Sequence, residues 1–574
     1  HRDLHLSIRR QRQMCIRDRK KGIYIMKLAG KHALLQMLVA EGVNYVFGNP
    51  GTSETPMMTI LPEYKDLDYI LVLQEGVAVG MAEGYGRSTG TVPLVSLHID
   101  NGMANGLSLM IDQLRSGTPM VMTAGNKDIR KLGPGRSDLA ELARPFAKWS
   151  AEITHAGQVP SVIRRAFQEA KTSPTGPVFV GMSANAFDDV ADVNIQPSTD
   201  VVQNSSTDPN TLEEVCDLLS TASKPIMIIG DRLNGANQAA VKLAETAGIP
   251  VYGHGSFEVN FPATHPLWQG NLSVRNPDAV KAIRSADLII AAGCTVFDDF
   301  FYQAEDIIPK SAKLVHIDSD PSSVGKSEPS DIAILAAPSE VITQLAESVS
   351  YEFTGTKAEE AALRVKDASS VSSTRREAFA KSAMKQRNMS PMSPSTFAAT
   401  FADALPSDAT VFNDGISTGG LIFEAMSPDE RGSYYAIRGG AIGWGMGATM
   451  GVQLGQPDRP VVGVMGDGTA IMTIQALWTA ANSNIPAVFV ICNNRSYRIL
   501  KLNSNVYHRM QGLQTPESYV ASDFDLPLDF KSQADAYGVE GVRVETPDEL
   551  TAQIQRGCEL NKPLVIDAVI DGTV

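Results

Sequence analysis

Apolar residues occur in short runs of strand length, each closed by glycine or a polar turn. Between the runs, apolar positions recur at helical spacing. Residues 42–47, 68–73, 92–97, 119–123 and 177–180 read as strands of a first block, with helices over 30–40 and 77–88 between them. Residues 225–230, 286–291 and 313–318 repeat the rhythm in a second block, and 410–412, 461–465, 487–491 and 564–567 in a third. Continuous rather than alternating apolar runs are what strands need when helices cover both faces of their sheet. The pattern therefore predicts an α/β chain with parallel sheets. Polar stretches at 196–210 and 351–393 separate the blocks. The domains expected are 26–190, 205–345 and 375–570, with 346–374 as a linker that is helical in part.

The length of 574 residues accommodates three such blocks. No apolar run approaches the roughly 20 residues that span a bilayer. The 50 Lys and Arg against 64 Asp and Glu give a net charge of −14, the wrong sign for coating nucleic acid. Neither a membrane nor a nucleic acid is an expected partner, and the reading is of a cytoplasmic protein. Five cysteines without a CxxC make neither a disulfide framework nor a zinc site. The charge is uneven, however. Residues 1–25 carry +6, so the remainder stands at −20. That basic segment lacks the apolar core of a secretory signal, and coherent helical patterning starts at Met26, so 1–25 reads as a non-native or disordered extension.

The strongest chemical signal lies in the third block. Gly466-Asp467-Gly468-Thr469 closes one apolar run, and Asn493-Asn494 closes the next after 23 intervening residues. Both groups fall at the carboxyl ends of predicted parallel strands, where open sheets of this kind bind ligands. Asp and Asn are hard oxygen donors that suit Mg²⁺ shared with a substrate phosphate, and Ser496 can add a main-chain carbonyl.

Gly-Asp-Gly followed after about 25 residues by Asn-Asn is the thiamine diphosphate motif, and the chain resembles that enzyme family over residues 26–570. The strings Phe-Gly-Asn-Pro-Gly (47–51), Leu-Gln-Glu (73–75), Leu-His (97–98), Thr-Pro-Met-Val-Met-Thr-Ala-Gly (118–125), Gly-Ser-Tyr-Tyr (432–435) and Ala-Leu-Trp-Thr-Ala-Ala (476–481) resemble its benzoylformate decarboxylase and acetolactate synthase-like branch. The resemblance implies thiamine diphosphate-binding folds in the first and third blocks and a dinucleotide-type fold in the middle one. It also implies a homodimer at minimum, often a homotetramer, because the two ends of the cofactor are held by different chains.

Residue roles follow from the same resemblance. Asp467, Asn494 and the Ser496 carbonyl would hold Mg²⁺ against the diphosphate, with Gly468 and Thr469 beside them. Ser417 would touch the diphosphate, although the neighbouring position, where a second hydroxyl is expected, is Ile416. The Gly440 backbone would accept a hydrogen bond from the 4′-amino group, and Ile442 would support the thiazolium. Glu75, from another subunit, would bond to N1′ of the aminopyrimidine. His98 would move protons at the substrate, and Thr52 would meet the substrate carboxylate.

One departure bears on the reaction. Where the decarboxylase branch carries a second histidine, this chain has Phe300, which cannot transfer a proton. With Ile499 and Leu500 it makes an apolar pocket. The expected activity is non-oxidative decarboxylation of a 2-oxo acid to an aldehyde. The alternative is carboligation with an acceptor aldehyde, of acetolactate synthase or benzaldehyde lyase type. FAD is not expected, because Gly230-Asp-Arg-Leu-Asn-Gly235 lacks the dinucleotide fingerprint.

Overall fold

The structure, a computed structural model, describes residues 25–131, 133, 135–201, 205–255, 257–272, 277–297 and 306–574. The segment 1–24, on which the reading of an extension falls, lies outside these residues, and so does Phe300.

Three six-stranded parallel sheets follow one another along the chain. The first contains β1 (Tyr45–Gly48), β2 (Asp68–Leu71), β3 (Leu94–His98), β4 (Met120–Asn126), β5 (Trp149–Ile153) and β6 (Pro177–Ser183), in the order β2-β1-β3-β4-β6-β5. An antiparallel ribbon of Met26–Ala29 and Val190–Val193 ties the ends of this block together. The middle sheet contains β7 (Pro225–Ile229), β8 (Val251–Gly253), β9 (Trp268–Asn271), β10 (Leu288–Ala292), β11 (Lys313–Asp318) and β12 (Ile332–Leu335), in the order β9-β8-β7-β10-β11-β12. That is the dinucleotide-type order, reversing between the first and fourth strands. The third contains β13 (Thr410–Asp414), β14 (Tyr434–Ala436), β15 (Val461–Gly466), β16 (Val488–Asn493), β17 (Glu540–Val544) and β18 (Leu564–Val569), ordered β14-β13-β15-β16-β18-β17. The outer two sheets thus share one topology, and the α/β class read from the apolar runs is the one found. Central strands such as β16 and β18 are buried along their whole length, as the continuous runs require.

Helices α1 (Glu75–Thr89) and α2 (Ile99–Ser116) belong to the first block, α3 (Thr356–Lys385) packs on the middle block, and α4 (Gly445–Gly455) and α5 (Arg498–Met510) belong to the third. Helices α1 and α4 join the first and third blocks by backbone-to-backbone approach. A Cβ on Gly84 would stand 2.0 Å from the Ala448 carbonyl oxygen, and one on Gly451 would stand 2.1 Å from that of Met81. Any side chain at either position would push the two helices apart.

The region expected as a partly helical linker is occupied by α3, 30 residues with no Gly or Pro. Its buried residues, Ala361, Ala368, Ser372 and Ala383, lie at helical spacing on one narrow face. Ser372 donates to the Trp268 carbonyl at 2.9 Å, and Arg364 donates to that of Ala247 at 2.7 Å, which fixes the helix to the middle block. Cys294 and Cys492 are buried, and burial pushes both thiols up to about 12, so they pack as small apolar groups. Among the described residues no helix is long and apolar enough to cross a membrane.

Candidate active site

Strand β15 ends at Gly466, and Asp467 opens the short helix Asp467–Ala470 that follows. The carboxylate is 2% exposed. Its Oδ1 accepts the Gly468 amide at 2.7 Å, while its buried Oδ2 has no hydrogen-bond partner among the described residues. Burial outweighs the opposing pull of the amides of Gly468, Arg495, Ser496 and Asn494 and leaves its carboxyl raised to about 6. The loop after β16 therefore lies against Asp467, bringing the two halves of the sequence motif together. Within that loop the Asn494 Oδ1 accepts the Ser496 amide at 2.9 Å, and the Ser496 hydroxyl donates to the Ser522 carbonyl at 2.9 Å.

An unpartnered buried carboxylate oxygen is costly unless a cation compensates it. Among the described residues no cluster of three or more His, Cys, Asp or Glu side chains forms a metal site. One carboxylate, one amide oxygen and one main-chain carbonyl are hard donors that fill only part of an octahedron. With the remaining positions left to water and phosphate oxygens, such a donor set would fit Mg²⁺.

Strand β13 delivers Asp414 to the same end of the sheet. It is fully buried, its Oδ2 accepts the Gly445 amide at 2.9 Å, and its Oδ1 has no hydrogen-bond partner among the described residues. Burial holds this carboxyl well above the usual range. Sequence reading passed over Asp414, although an acid ending an apolar strand was the available signal. Beyond it Ile416 is exposed and Ser417 half-buried. The loop from Arg438 to Gly443 completes this half of the cleft. Gly440 is exposed, with open space where a Cβ would stand, so the backbone there is approachable by a ligand. Ile442 is half-buried. Ile499 and Leu500 lie in the first turn of α5, directly after the Asn494–Tyr497 turn, with Leu500 half exposed.

The other acid–base groups sit in the first block. Glu75 heads α1, where the positive end of the helix favours a carboxylate. Asn49 and Asn105 donate to its two oxygens at 3.1 and 3.0 Å. His98 ends β3, with its side chain 37% exposed. Its Nδ1 lies 2.8 Å from the Ser53 hydroxyl oxygen and 3.1 Å from Glu54 Oε2. Glu54 is 1% exposed and also takes the Gly51 amide at 2.9 Å, the Ser53 hydroxyl at 2.8 Å and the Gly125 amide at 2.7 Å. Because Ser53 gives its proton to Glu54, both neighbours of Nδ1 are acceptors. The neutral ring therefore carries its proton on Nδ1, leaving Nε2 free as a proton acceptor.

Ser53, Glu54, Asn49 and Asn105 were not singled out from the sequence, while the expected Thr52 is exposed beside them. The hydrogen-bond partners of Glu75 and His98 named above all come from the first block. The third block meets that block at Arg438, whose Nη1 donates to the Thr118 hydroxyl at 2.8 Å, and at Asp112, which takes the amides of Gly440 and Ala441.

Three family models match the chain in order. The N-terminal thiamine pyrophosphate (thiamine diphosphate) binding domain matches 28–148, the central domain 212–345, and the C-terminal binding domain 422–568. Benzoylformate decarboxylase of Pseudomonas aeruginosa is 30% identical over 545 residues, covering 93% of this chain and 97% of the relative. The acetolactate synthase large subunit of Haemophilus influenzae is 28% identical over 568 residues, covering 95% of each. Among solved structures, a thiamine diphosphate-dependent 4-hydroxybenzoylformate decarboxylase of Rhodococcus jostii RHA1 superposes with a TM-score of 0.80 at 27% identity, covering 95% of this chain and 99% of that one.

Proposed function

The chain belongs to the thiamine diphosphate-dependent enzymes that decarboxylate or join 2-oxo acids, and on that premise we propose that it converts an aromatic, benzoylformate-like 2-oxo acid to its aldehyde and CO₂ without oxidation. The observation that carries this reading is His98, held through Nδ1 by Ser53 and Glu54 with Nε2 free to move a proton. Thiamine diphosphate with Mg²⁺, when bound, supplies the nucleophilic carbon and the electron sink that let the bond between a carbonyl and a carboxylate break.

The protein's part is to hold, orient and exchange protons. Asp467, Asn494 and the Ser496 carbonyl would hold the metal, with Gly468, Thr469 and Ser417 at the diphosphate. The Gly440 carbonyl would accept from the 4′-amino group, and Ile442 would pack against the thiazolium. Glu75, kept in place by Asn49 and Asn105, would hold the proton at N1′ of the aminopyrimidine. The Thr52 hydroxyl meets the substrate carboxylate. His98 Nε2 delivers the proton to the carbon that CO₂ leaves, so one 2-oxo acid anion and one proton become one aldehyde and CO₂. Glu75 serves the third block of a second chain, in a homodimer or a dimer of dimers.

Carboligation is the second reading, favoured by Phe300 at the position of a second proton donor and by Ile499 and Leu500 beside the metal loop. Purified protein with Mg²⁺ and thiamine diphosphate, given a panel of aromatic and aliphatic 2-oxo acids with and without an acceptor aldehyde, separates the two. CO₂ release with free aldehyde from aromatic acids supports the first. Chiral 2-hydroxy ketone as the main product supports the second, and no CO₂ from any acid overturns both.

A further inference from the structure

The turn that carries the Gly440 carbonyl is anchored on both sides. Upstream, Arg438 is 8% exposed. Its Nε donates to Asp231 Oδ2 at 2.8 Å, its Nη2 to Glu258 Oε1 at 2.7 Å and its Nη1 to the Thr118 hydroxyl at 2.8 Å, so the first and middle blocks both grip this side chain of the third. Downstream, the Trp444 indole donates to the Ala441 carbonyl at 2.9 Å, and the Thr473 hydroxyl donates to that of Gly443. Between these anchors lies Asp112 of α2, 1% exposed. It takes the Gly440 amide on Oδ1 at 3.2 Å and the Ala441 amide on Oδ2 at 2.6 Å. Gly439 has φ +82°, and a Cβ there would stand 2.2 Å from Asp112 Oδ1, so only glycine lets the carboxylate reach under the turn.

A trans peptide is planar, with its C=O and N–H pointing in opposite directions. The Ala441 N–H belongs to the same peptide unit as the Gly440 carbonyl. With that N–H drawn onto Asp112, the Gly440 oxygen points away from α2, on the far side of the turn.

We propose that Asp112 is the positioning residue of the cofactor site: by drawing in the Ala441 and Gly440 amides from the first block, it presents the Gly440 carbonyl to the 4′-amino group of the aminopyrimidine. The inference rests on the thiamine diphosphate reading of the site and extends it to a carboxylate that makes no contact with the cofactor itself. Asp112 thereby couples recognition of the pyrimidine to the docking of the first block on the third.

Calorimetric titration of the cofactor-free full-length protein in Mg²⁺ tests it with two ligands, thiamine diphosphate and its analogue bearing hydrogen in place of the 4′-amino group. The wild type discriminates in favour of thiamine diphosphate. Asp112→Ala lowers that ratio of affinities by roughly three- to tenfold, the worth of one hydrogen bond. Asp112→Asn, which keeps the shape of the side chain but has one acceptor oxygen, lowers it by less. An undiminished ratio in both variants, with both ligands weakened equally, makes Asp112 merely structural and overturns the proposal, as does a wild type that binds the two ligands equally. Failure of the wild type to bind either ligand overturns instead the cofactor reading beneath it.

Discussion

The imidazole of His98 offers the cleft one nitrogen because Ser53 and Glu54 occupy the other. Glu54 takes four donors, and neutralising it leaves an amide NH₂ facing groups that themselves donate. Glu54→Gln should therefore lower kcat for CO₂ release by about tenfold or more and displace the histidine limb of the pH–rate profile, while cofactor affinity stays near wild type. An unmoved profile would separate Glu54 from the proton path. Asp467 and Asn494 were legible in the sequence, since each closes an apolar run and the two runs pair as strands. Glu54, Asp112 and Asp414 were not read. Glu54 in a turn and Asp112 in a helix read as solvated groups, whereas Asp414 ends an apolar strand and offered a signal that was passed over; what buries all three comes from remote segments. Gly125 donates to Glu54, Gly440 and Ala441 donate to Asp112, and Gly445 donates to Asp414.

At the scale of elements, legibility followed burial. All but one of the strands in the middle of each sheet stood out as apolar runs; the exception is the three-residue β8, while β2 was read although it lies at an edge. Strands β5, β9, β12, β14 and β17 lie at sheet edges and went unread. In β12 buried and exposed residues alternate, so no continuous run exists to see. The long helix α3 was only partly anticipated, because its buried face is four small residues on an otherwise polar cylinder.

The middle sheet also carries an acid-sensitive element. On β11, His316 is 1% exposed, accepts the Gly325 amide on Nδ1 at 3.2 Å and donates from Nε2 to the Cys294 carbonyl at 2.9 Å. Burial lowers its proton affinity in the fold, whereas the unfolded chain takes up the proton near pH 6.5. Stability should therefore fall as pH drops below about 6.5. In urea titrations between pH 7.5 and 5.5, His316→Gln should show a shallower loss than the wild type. Parallel profiles would place the acid sensitivity elsewhere.

At the scale of the whole molecule, the acid of the first block and the proposed metal donors of the third stand in different halves of a shared architecture. The outer sheets have one topology, each presenting its functional loops at the carboxyl ends of its strands, and α1 packs against α4 where the two blocks meet. The net charge of −14 means that attraction of an anionic cofactor and an anionic substrate is local, through Mg²⁺ and backbone amides. The proposed site takes Glu75 from one chain and Asp467 with Asn494 from another, an arrangement that a single chain read in sequence order cannot display. The most direct test is CO₂ release from an aromatic 2-oxo acid by Glu75→Gln and Asp467→Asn proteins, assayed alone and after mixing under conditions that exchange subunits. Each variant alone should fall by roughly 10²–10⁴-fold, and the mixture should recover about a quarter of wild-type turnover, since half of the random dimers hold one intact site of two. Wild-type turnover by either variant alone, or no recovery on mixing, would contradict the account.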